Sequence, residues 1–208
     1  MKSLLIFFSF CVTLAVNAQN DKYTTVMKTN IALLDSAKTT LDYENVSNAF
    51  LRVAEAEKTQ WLPYYYAALA ETRIGWTDKK VDPDQLAEKI KGLVAKAEAI
   101  EKNAEICTIT NMAATQQMLV DPQNRWQTYG MEASSALQTG MKLDPGNPRL
   151  YYLQGMSVYG TPEQFGGGKD KAKPIFQKAV DLFKTFQVKP LYPDWGQKQA
   201  EDMLAKCQ

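Results

Sequence analysis

The chain has 208 residues, of which 45% are hydrophobic and 23% are charged, so it can form one or two packed domains and is too apolar for a disordered protein. Its 24 Lys and Arg residues against 23 Asp and Glu residues give a formal charge of +1, which lacks the basic excess expected of a nucleic-acid-binding protein. The sequence contains no histidine, which excludes Ser-His-Asp and Cys-His catalytic sites and histidine-ligated metal centres.

The first predicted element is a secretory signal peptide over residues 1–18. Lys2 supplies a positive charge, Leu4–Val16 is almost wholly apolar, and Val16-Asn17-Ala18 places small residues at the −3 and −1 positions of a cleavage site. The apolar stretch is shorter than the roughly 20 residues that span a bilayer, and no later stretch is long enough. We therefore expect cleavage after Ala18 and a periplasmic or secreted mature chain with no membrane span.

Beyond residue 20 the pattern is helical throughout, because apolar residues recur at spacings of three and four and runs of β-branched alternation are absent. Segments rich in Pro, Gly and Asp separate the helices. The predicted helices cover residues 23–39, 43–59, 62–74, 84–102, 104–119, 123–142, 149–159, 169–186 and 195–206. The sequence therefore predicts an all-α protein, with short or medium loops that favour stacked hairpins.

A repeated triplet marks the second helix of each predicted hairpin. Its members lie at i, i+4 and i+7, with a large residue in the centre and mostly small residues at the ends, which lets a neighbouring helix approach closely. The four triplets are Ala49-Val53-Ala56, Ile90-Val94-Ala97, Ala133-Leu137-Gly140 and Ala172-Phe176-Ala179. Their last members are 39 to 43 residues apart, a period typical of stacked supersecondary units.

These residues resemble the tetratricopeptide repeat family, whose second helix carries this triplet. The third triplet is followed by Leu143-Asp144-Pro145-Gly146-Asn147-Pro148, similar to the family's terminating proline and entry into the next repeat, and Tyr151 and Gly155 match its first-helix positions. The match is close over 122–186 and degenerate over 23–120, and every unit exceeds the usual 34-residue period. The resemblance implies a divergent, exported, long-loop α-solenoid. About four tetratricopeptide-like hairpins would cover residues 23–59, 61–102, 104–142 and 147–186, with a capping helix over 194–207.

The tail after Pro190 differs from the repeats. Pro190, Pro193 and Trp195 indicate a turn, and Trp195, Ala200, Met203 and Leu204 give one apolar face to a short amphipathic helix. We expect this helix to cap the stack, because a terminal repeat otherwise exposes its packing face.

Two cysteines remain in the mature chain, Cys107 and Cys207. An exported protein can form a disulfide, but these residues are far apart in the sequence and a bridge needs Cα atoms within about 7 Å. Buried or free thiols are the favoured interpretation, and one disulfide is the alternative.

Aromatic residues are dense on the predicted first helices. Neighbours on a helix differ by about 100°, so Tyr64, Tyr65 and Tyr66 cannot all face the core, and at least one of them is expected at the surface or in a groove. In the tetratricopeptide family first helices line a concave groove, and the resemblance therefore places Arg149, Tyr152, Met156 and Tyr159 there; we add Tyr65 to this set. The alternative is that these rings pack between repeats.

Two other motifs are assigned structural roles. The Gly166-Gly167-Gly168 loop lacks the glycine and Ser/Thr spacing of a P-loop, so we interpret it as a connector in which Phe165 folds back onto the hairpin. Asp82-Pro83 indicates a helix start. No catalytic residue, metal site or cofactor is predicted.

The sequence thus predicts a non-enzymatic exported scaffold that binds a protein or peptide partner in the cell envelope through its concave groove. The alternative is a periplasmic small-solute-binding helper protein with an aromatic-lined pocket or tunnel, for which the 161–168 loop would be a lid. The sequence leaves the oligomeric state open.

Overall fold

The computed structural model describes residues 21–208, and these residues are all-α, with no strand among them. The predicted signal peptide at 1–18 lies outside this part of the chain. The α-helices are α1 (residues 21–36), α2 (Thr40–Ala56), α3 (Leu62–Thr77), α4 (Pro83–Ile100), α5 (Ala104–Met118), α6 (Pro122–Arg125), α7 (Met131–Leu143), α8 (Pro148–Gly160), α9 (Lys169–Thr185) and α10 (Gln197–Lys206). A π-helix (Trp126–Gly130) joins α6 to α7, and a 3₁₀ turn (Glu163–Phe165) follows α8.

Capping residues set several helix starts. The side chain of Thr39 accepts a hydrogen bond from the Asp42 amide, and the Asp42 carboxylate accepts one from the Thr39 amide, so α2 begins about three residues earlier than predicted. Asp82 accepts hydrogen bonds from the amides of Asp84 and Gln85. This confirms the predicted start of α4.

Three helices form the inner layer of the stack. α5 packs against both α3 and α8, and all three are buried on most sides. The more amphipathic helices α2, α4, α7 and α9 pack against these inner helices. We refer to α3, α5 and α8 as the inner helices.

Small residues stand where helices approach most closely. A Cβ on Gly140 would lie 2.6 Å from Cδ2 of Leu150, and one on Gly155 would lie 2.5 Å from Cε1 of Phe176. The last three predicted triplets are buried as expected. The register of the first predicted triplet, Ala49-Val53-Ala56, is wrong by two residues. Ala56 is exposed, whereas Ser47 and Ala54, the two ends of the triplet Ser47-Leu51-Ala54, are buried.

After α9 the chain crosses the inner helices as a non-helical segment that contains turns, residues 187–196, which we call the strap. The Tyr66 hydroxyl donates to the carbonyl oxygen of Leu191 (2.8 Å), and the rings of Trp61 and Tyr192 meet edge to face at 5.4 Å. The strap therefore occupies part of the surface that was expected to be an open groove.

The strap leads into α10, which packs against α9 through Ala200 and Met203. Trp195, which the sequence pattern placed on the apolar face of this helix, lies before its start. Gly196 separates the two with a φ of 110°, and it approaches Phe183 and Arg149 so closely that a side chain there would collide with the Phe183 ring.

Cys107 and Cys207 are buried free thiols, as the favoured interpretation expected. Within residues 21–208, no helix combines the length and the apolar character required to cross a bilayer.

Candidate functional site

Trp195 connects the strap to two inner helices. Its Nε1 donates a hydrogen bond to the Tyr65 hydroxyl oxygen on α3 (2.9 Å), and its carbonyl oxygen accepts one from Nη1 of Arg149 on α8 (3.3 Å). The indole ring meets the Tyr152 ring nearly perpendicularly at 6.5 Å. Three of the five predicted groove residues therefore surround this one side chain.

Arg149 is 1% exposed and does not offer a free cation, contrary to its predicted place on an open groove. Its Nη2 lies 2.6 Å from Oε1 of Glu105, and its Nε lies 2.8 Å from Oε2 of the same carboxylate. Burial acts to lower the pKa of Arg149, but the hydrogen bonds and charge of Glu105 outweigh it and raise the pKa. The guanidinium is therefore a fixed structural donor.

Tyr65 faces the strap rather than solvent and is also 1% exposed. Burial raises the pKa of its hydroxyl, and the nearby charge of Glu105 adds to this effect. The phenol stays protonated at all physiological pH values. Its predicted role as an exposed groove residue is not what the structure shows, because the strap covers it.

Beside Trp195 there is a cavity of about 340 Å³, at the low end of the roughly 300–1,000 Å³ typical of small-molecule sites. It lies between α1, α2, α3, the strap and the first turn of α10. Its apolar wall and its polar mouth are formed by Ile31, Leu34, Tyr43, Tyr66, Leu69 and Trp195, and by Asp35, Arg73, Asp194 and Gln199, respectively. Burial and the neighbouring Asp194 raise the pKa of Asp35, while Arg73 opposes them.

Arg73 is the cation at this mouth. It is partly buried, and its guanidinium makes no hydrogen bond or ion pair with any residue of the described chain 21–208. Burial raises the pKa of Tyr152, and the positive charge of Arg73 acts to lower it. A half-buried cation without a paired carboxylate is well placed to receive an anionic group of a ligand.

The rest of the predicted set lies along α8. Tyr152 is partly buried, and Met156 and Tyr159 are 39% and 38% exposed. The rings of Tyr152 and Tyr159 both lie 6.4 Å from the ring of Phe176. The structure thus places these three residues on one helix face that runs outward from Trp195.

The glycine loop after α8 is a closed turn. The Gly168 amide donates to the carbonyl of Val158 (2.9 Å), and Gly166 adopts a φ of 84°. Phe165 is 73% exposed, so the prediction that it folds back onto the hairpin is wrong. The positive φ of Gly166 and the backbone bonds fix the turn without help from the phenyl ring.

The described residues contain no cluster of His, Cys, Asp and Glu that could hold a metal ion. Histidine is absent from the sequence and both described cysteines are buried. The side chains on the α8 face that could ligate a transition metal are Tyr152, Met156 and Tyr159.

Sequence reasoning missed Arg73 and the position of Trp195. A signal for Arg73 was present, because Tyr66, Leu69 and Arg73 stand at i, i+3 and i+7 on one face of α3. No local pattern indicated that Trp195 would contact Tyr65, since 130 positions separate them.

No family model and no curated protein matches this chain. Among solved structures it is similar to the HusA haemophore from Porphyromonas gingivalis, with 37% sequence identity and a TM-score of 0.82. The similarity covers 89% of this chain and 92% of that one. It therefore extends over most of the length of both chains.

Proposed function

The chain belongs to the same family as the HusA haemophore, and from this premise we propose that it is an exported carrier that binds haem or a related porphyrin. The observation that carries the proposal is the sequence identity over nearly the whole of both chains, joined to a site whose residues suit such a ligand. It is a binding function and includes no catalytic step.

The chemistry of a porphyrin matches the side chains around Trp195. A porphyrin is a flat aromatic ring with an apolar body and, in haem, two propionate carboxylates. Trp195 and Tyr152 supply aromatic surface next to a cavity with a mixed apolar and polar lining, and Arg73 supplies an unpaired cation at its mouth. Ring contacts and one charge pair are the interactions that these residues can offer.

Recognition of the ring would carry more of the affinity than ligation of the iron. Histidine, the proximal ligand of globins and peroxidases, is absent from the chain. If iron is ligated, Tyr152, Met156 or Tyr159 would do it from the α8 face. Binding of a metal-free porphyrin separates these two contributions.

This proposal selects the small-solute alternative of the sequence analysis over a protein or peptide partner. The relative is described as a haemophore, and the strap covers Tyr65 and Arg149, two of the residues that were expected to contact a peptide. An aromatic-lined pocket was the feature that motivated the alternative, and the cavity beside Trp195 has that character.

We also infer that the stack is a divergent tetratricopeptide-like solenoid with the unit boundaries given by the sequence pattern. The close approaches at Gly140 and Gly155 and the side-by-side inner helices support this inference. Export through a signal peptide cleaved after Ala18 is part of the same proposal. Intact-mass measurement of the protein purified from its own cells tests the cleavage site.

The function is tested by titrating the mature chain with haemin and with metal-free protoporphyrin IX while the Soret band is recorded. We expect saturable binding of both, at one site per chain. Tyr152→Ala should weaken both at least about tenfold because it removes a ring from the site. Tyr129→Ala is the matched control, since Tyr129 packs against Lys91 and Arg125 away from the strap. Absence of saturable binding to either porphyrin would overturn the proposal.

A further inference from the structure

Trp195 is held by contacts of both its side chain and its backbone. The indole donates to Tyr65, the backbone carbonyl accepts from Arg149, and the guanidinium carbon of Arg149 lies 5.8 Å from the indole ring. Arg149 is itself fixed by two hydrogen bonds to Glu105. The ring orientation is thus set from both inner helices that flank it.

The backbone on either side of Trp195 is equally constrained. Leu191 has a φ of 67°, a left-handed conformation that is costly for a residue with a side chain, and Gly196 has a φ of 110°. Pro193, between them, is buried. These positions bend the strap so that it reaches α3 and then returns to α9 through α10.

Trp195 lines the cavity together with Tyr66 and Leu69, and its ring also meets Tyr152, at the start of the α8 face. A ligand that spans the cavity and the α8 face would therefore lie against the indole. Aromatic rings pair with an offset face or edge to face, so a rigid aromatic wall contacts more of a flat ring than of a twisted one.

From these contacts we infer that Trp195 is the specificity-determining residue for planar tetrapyrroles, and that Tyr65 and Arg149 are positioning residues that hold its ring as a wall. This inference rests on the proposed function and extends it from the ligand class to the residue that selects ligand shape. Tyr65 and Arg149 act through Trp195 and do not themselves contact the ligand.

The test compares two ligands of like charge and different shape. Protoporphyrin IX is flat and biliverdin is an open, twisted tetrapyrrole, and both carry two propionates, so Arg73 contributes equally to each. The parent should prefer protoporphyrin IX. Trp195→Leu, which keeps an apolar side chain but removes the ring, should weaken protoporphyrin IX at least about tenfold and biliverdin no more than about twofold. Trp195→Phe, which keeps an aromatic ring but loses the hydrogen bond to Tyr65, should lower the preference several-fold without abolishing it.

The positioning role has its own variant and control. Tyr65→Phe removes the hydroxyl that accepts from the indole, and it should lower the preference for protoporphyrin IX several-fold. Tyr151→Phe removes a hydroxyl that donates to the Pro145 carbonyl (3.0 Å) on the same inner layer, away from the strap, and it should leave the preference unchanged. Melting temperatures of all variants identify any that fail to fold.

The outcomes separate the two proposals. If the parent binds no porphyrin, the proposed function fails and this inference fails with it. If the parent binds porphyrin and Trp195→Leu weakens the binding of protoporphyrin IX and biliverdin equally, or weakens neither, the proposed function is retained. Trp195 then does not select the shape of the ligand. A preference lost in Trp195→Leu and reduced several-fold in both Trp195→Phe and Tyr65→Phe establishes the inference.

Discussion

Glu105 on α5 and Arg149 on α8 form a buried ion pair through two hydrogen bonds of 2.6 and 2.8 Å, although 44 positions separate them in the chain. The Asn147 side chain donates a further hydrogen bond to Glu105 at 2.6 Å. Both charged groups therefore have hydrogen-bond partners within the protein in place of water. A buried ion pair is tolerated under this condition. The pair joins two inner helices and holds the strap through Trp195.

Removing one member of this pair should destabilise the protein strongly. Glu105→Gln leaves the Arg149 charge buried without a counter-ion, which we expect to lower the free energy of unfolding by about 3–5 kcal/mol. Arg149→Met leaves the Glu105 carboxylate buried without its counter-ion, so it should also lower the free energy of unfolding. The double variant keeps an acceptor for Asn147 and no buried charge, so it should cost clearly less than the sum of the single variants. Urea unfolding measures all four proteins, and strictly additive losses would contradict the coupling.

Close helix packing at Gly155 gives a second prediction. A methyl group there would lie 2.5 Å from the Phe176 ring, which is fully buried and cannot move aside, so Gly155→Ala should cost about 1–3 kcal/mol of stability. Gly92→Ala on α4 is the matched control, because nothing lies within 4 Å of the added carbon. That variant should be neutral or more stable by up to about 1 kcal/mol, since alanine favours a helix. Thermal unfolding of the parent and of both variants measures the change in stability. Equal changes at the two positions would refute the packing argument.

Periodicity predicted the amphipathic helices α2, α4, α7 and α9 well because each of them buries one stripe of its own sequence. The register failed at Ala56, where Ser47, Leu51 and Ala54 form an equally good triplet two residues earlier, and only packing distinguishes the two. The π-helix at Trp126–Gly130 interrupts a segment that was predicted as one continuous helix, since no residue pattern specifies such an insertion.

The candidate site was less predictable because its contacts are long-range. Arg149 was identified as a groove cation, but its partner Glu105 lies on another helix, α5, and no local sequence pattern marks it. Trp195 reads as part of an amphipathic helix until the turn at Gly196 is known. Tyr152, Met156 and Tyr159 were named from the resemblance to tetratricopeptide repeats, and the structure shows that they share one face of α8, while their part in a site stays a prediction.

A third prediction concerns how the stability of the protein depends on pH. The Asp84 carboxylate accepts hydrogen bonds from Arg125 (2.8 Å) and Gln117 (3.1 Å), and the bond from Arg125 is the main cause of its lowered pKa. A carboxyl with a lower pKa in the folded state stabilises the protein above its unfolded-state pKa, and the contribution is lost as the pH falls through the folded-state pKa. Asp84→Asn should therefore be less stable than the parent at pH 7, and the difference should disappear in strong acid.

The size of this effect is limited by solvent, because the Asp84 side chain is 43% exposed. We expect about 1 kcal/mol or less at pH 7. Glu88→Gln on the same helix is the control, since the Glu88 carboxylate lies 3.9 Å from Lys91 at a 73% exposed position and should contribute little. Denaturant unfolding of the three proteins between about pH 2 and pH 7 gives the result. A difference for Asp84→Asn that persisted unchanged into acid would exclude the ion pair as its source.

The last prediction separates charge from ring contact in ligand binding. Arg73 is the unpaired cation at the mouth of the cavity, so its role in the proposed function is to pair with a carboxylate of the ligand. Arg73→Gln should weaken protoporphyrin IX about tenfold, or roughly 1.4 kcal/mol, while the dimethyl ester of the same porphyrin, which has no carboxylate, should bind the variant and the parent within about twofold. Added salt should weaken the acid more than the ester in the parent, because salt screens a partly exposed pair. Arg52→Gln on the exposed side of α2 should change neither affinity. Equal losses of acid and ester in Arg73→Gln would mean that Arg73 supports the shape of the cavity and does not receive the carboxylate.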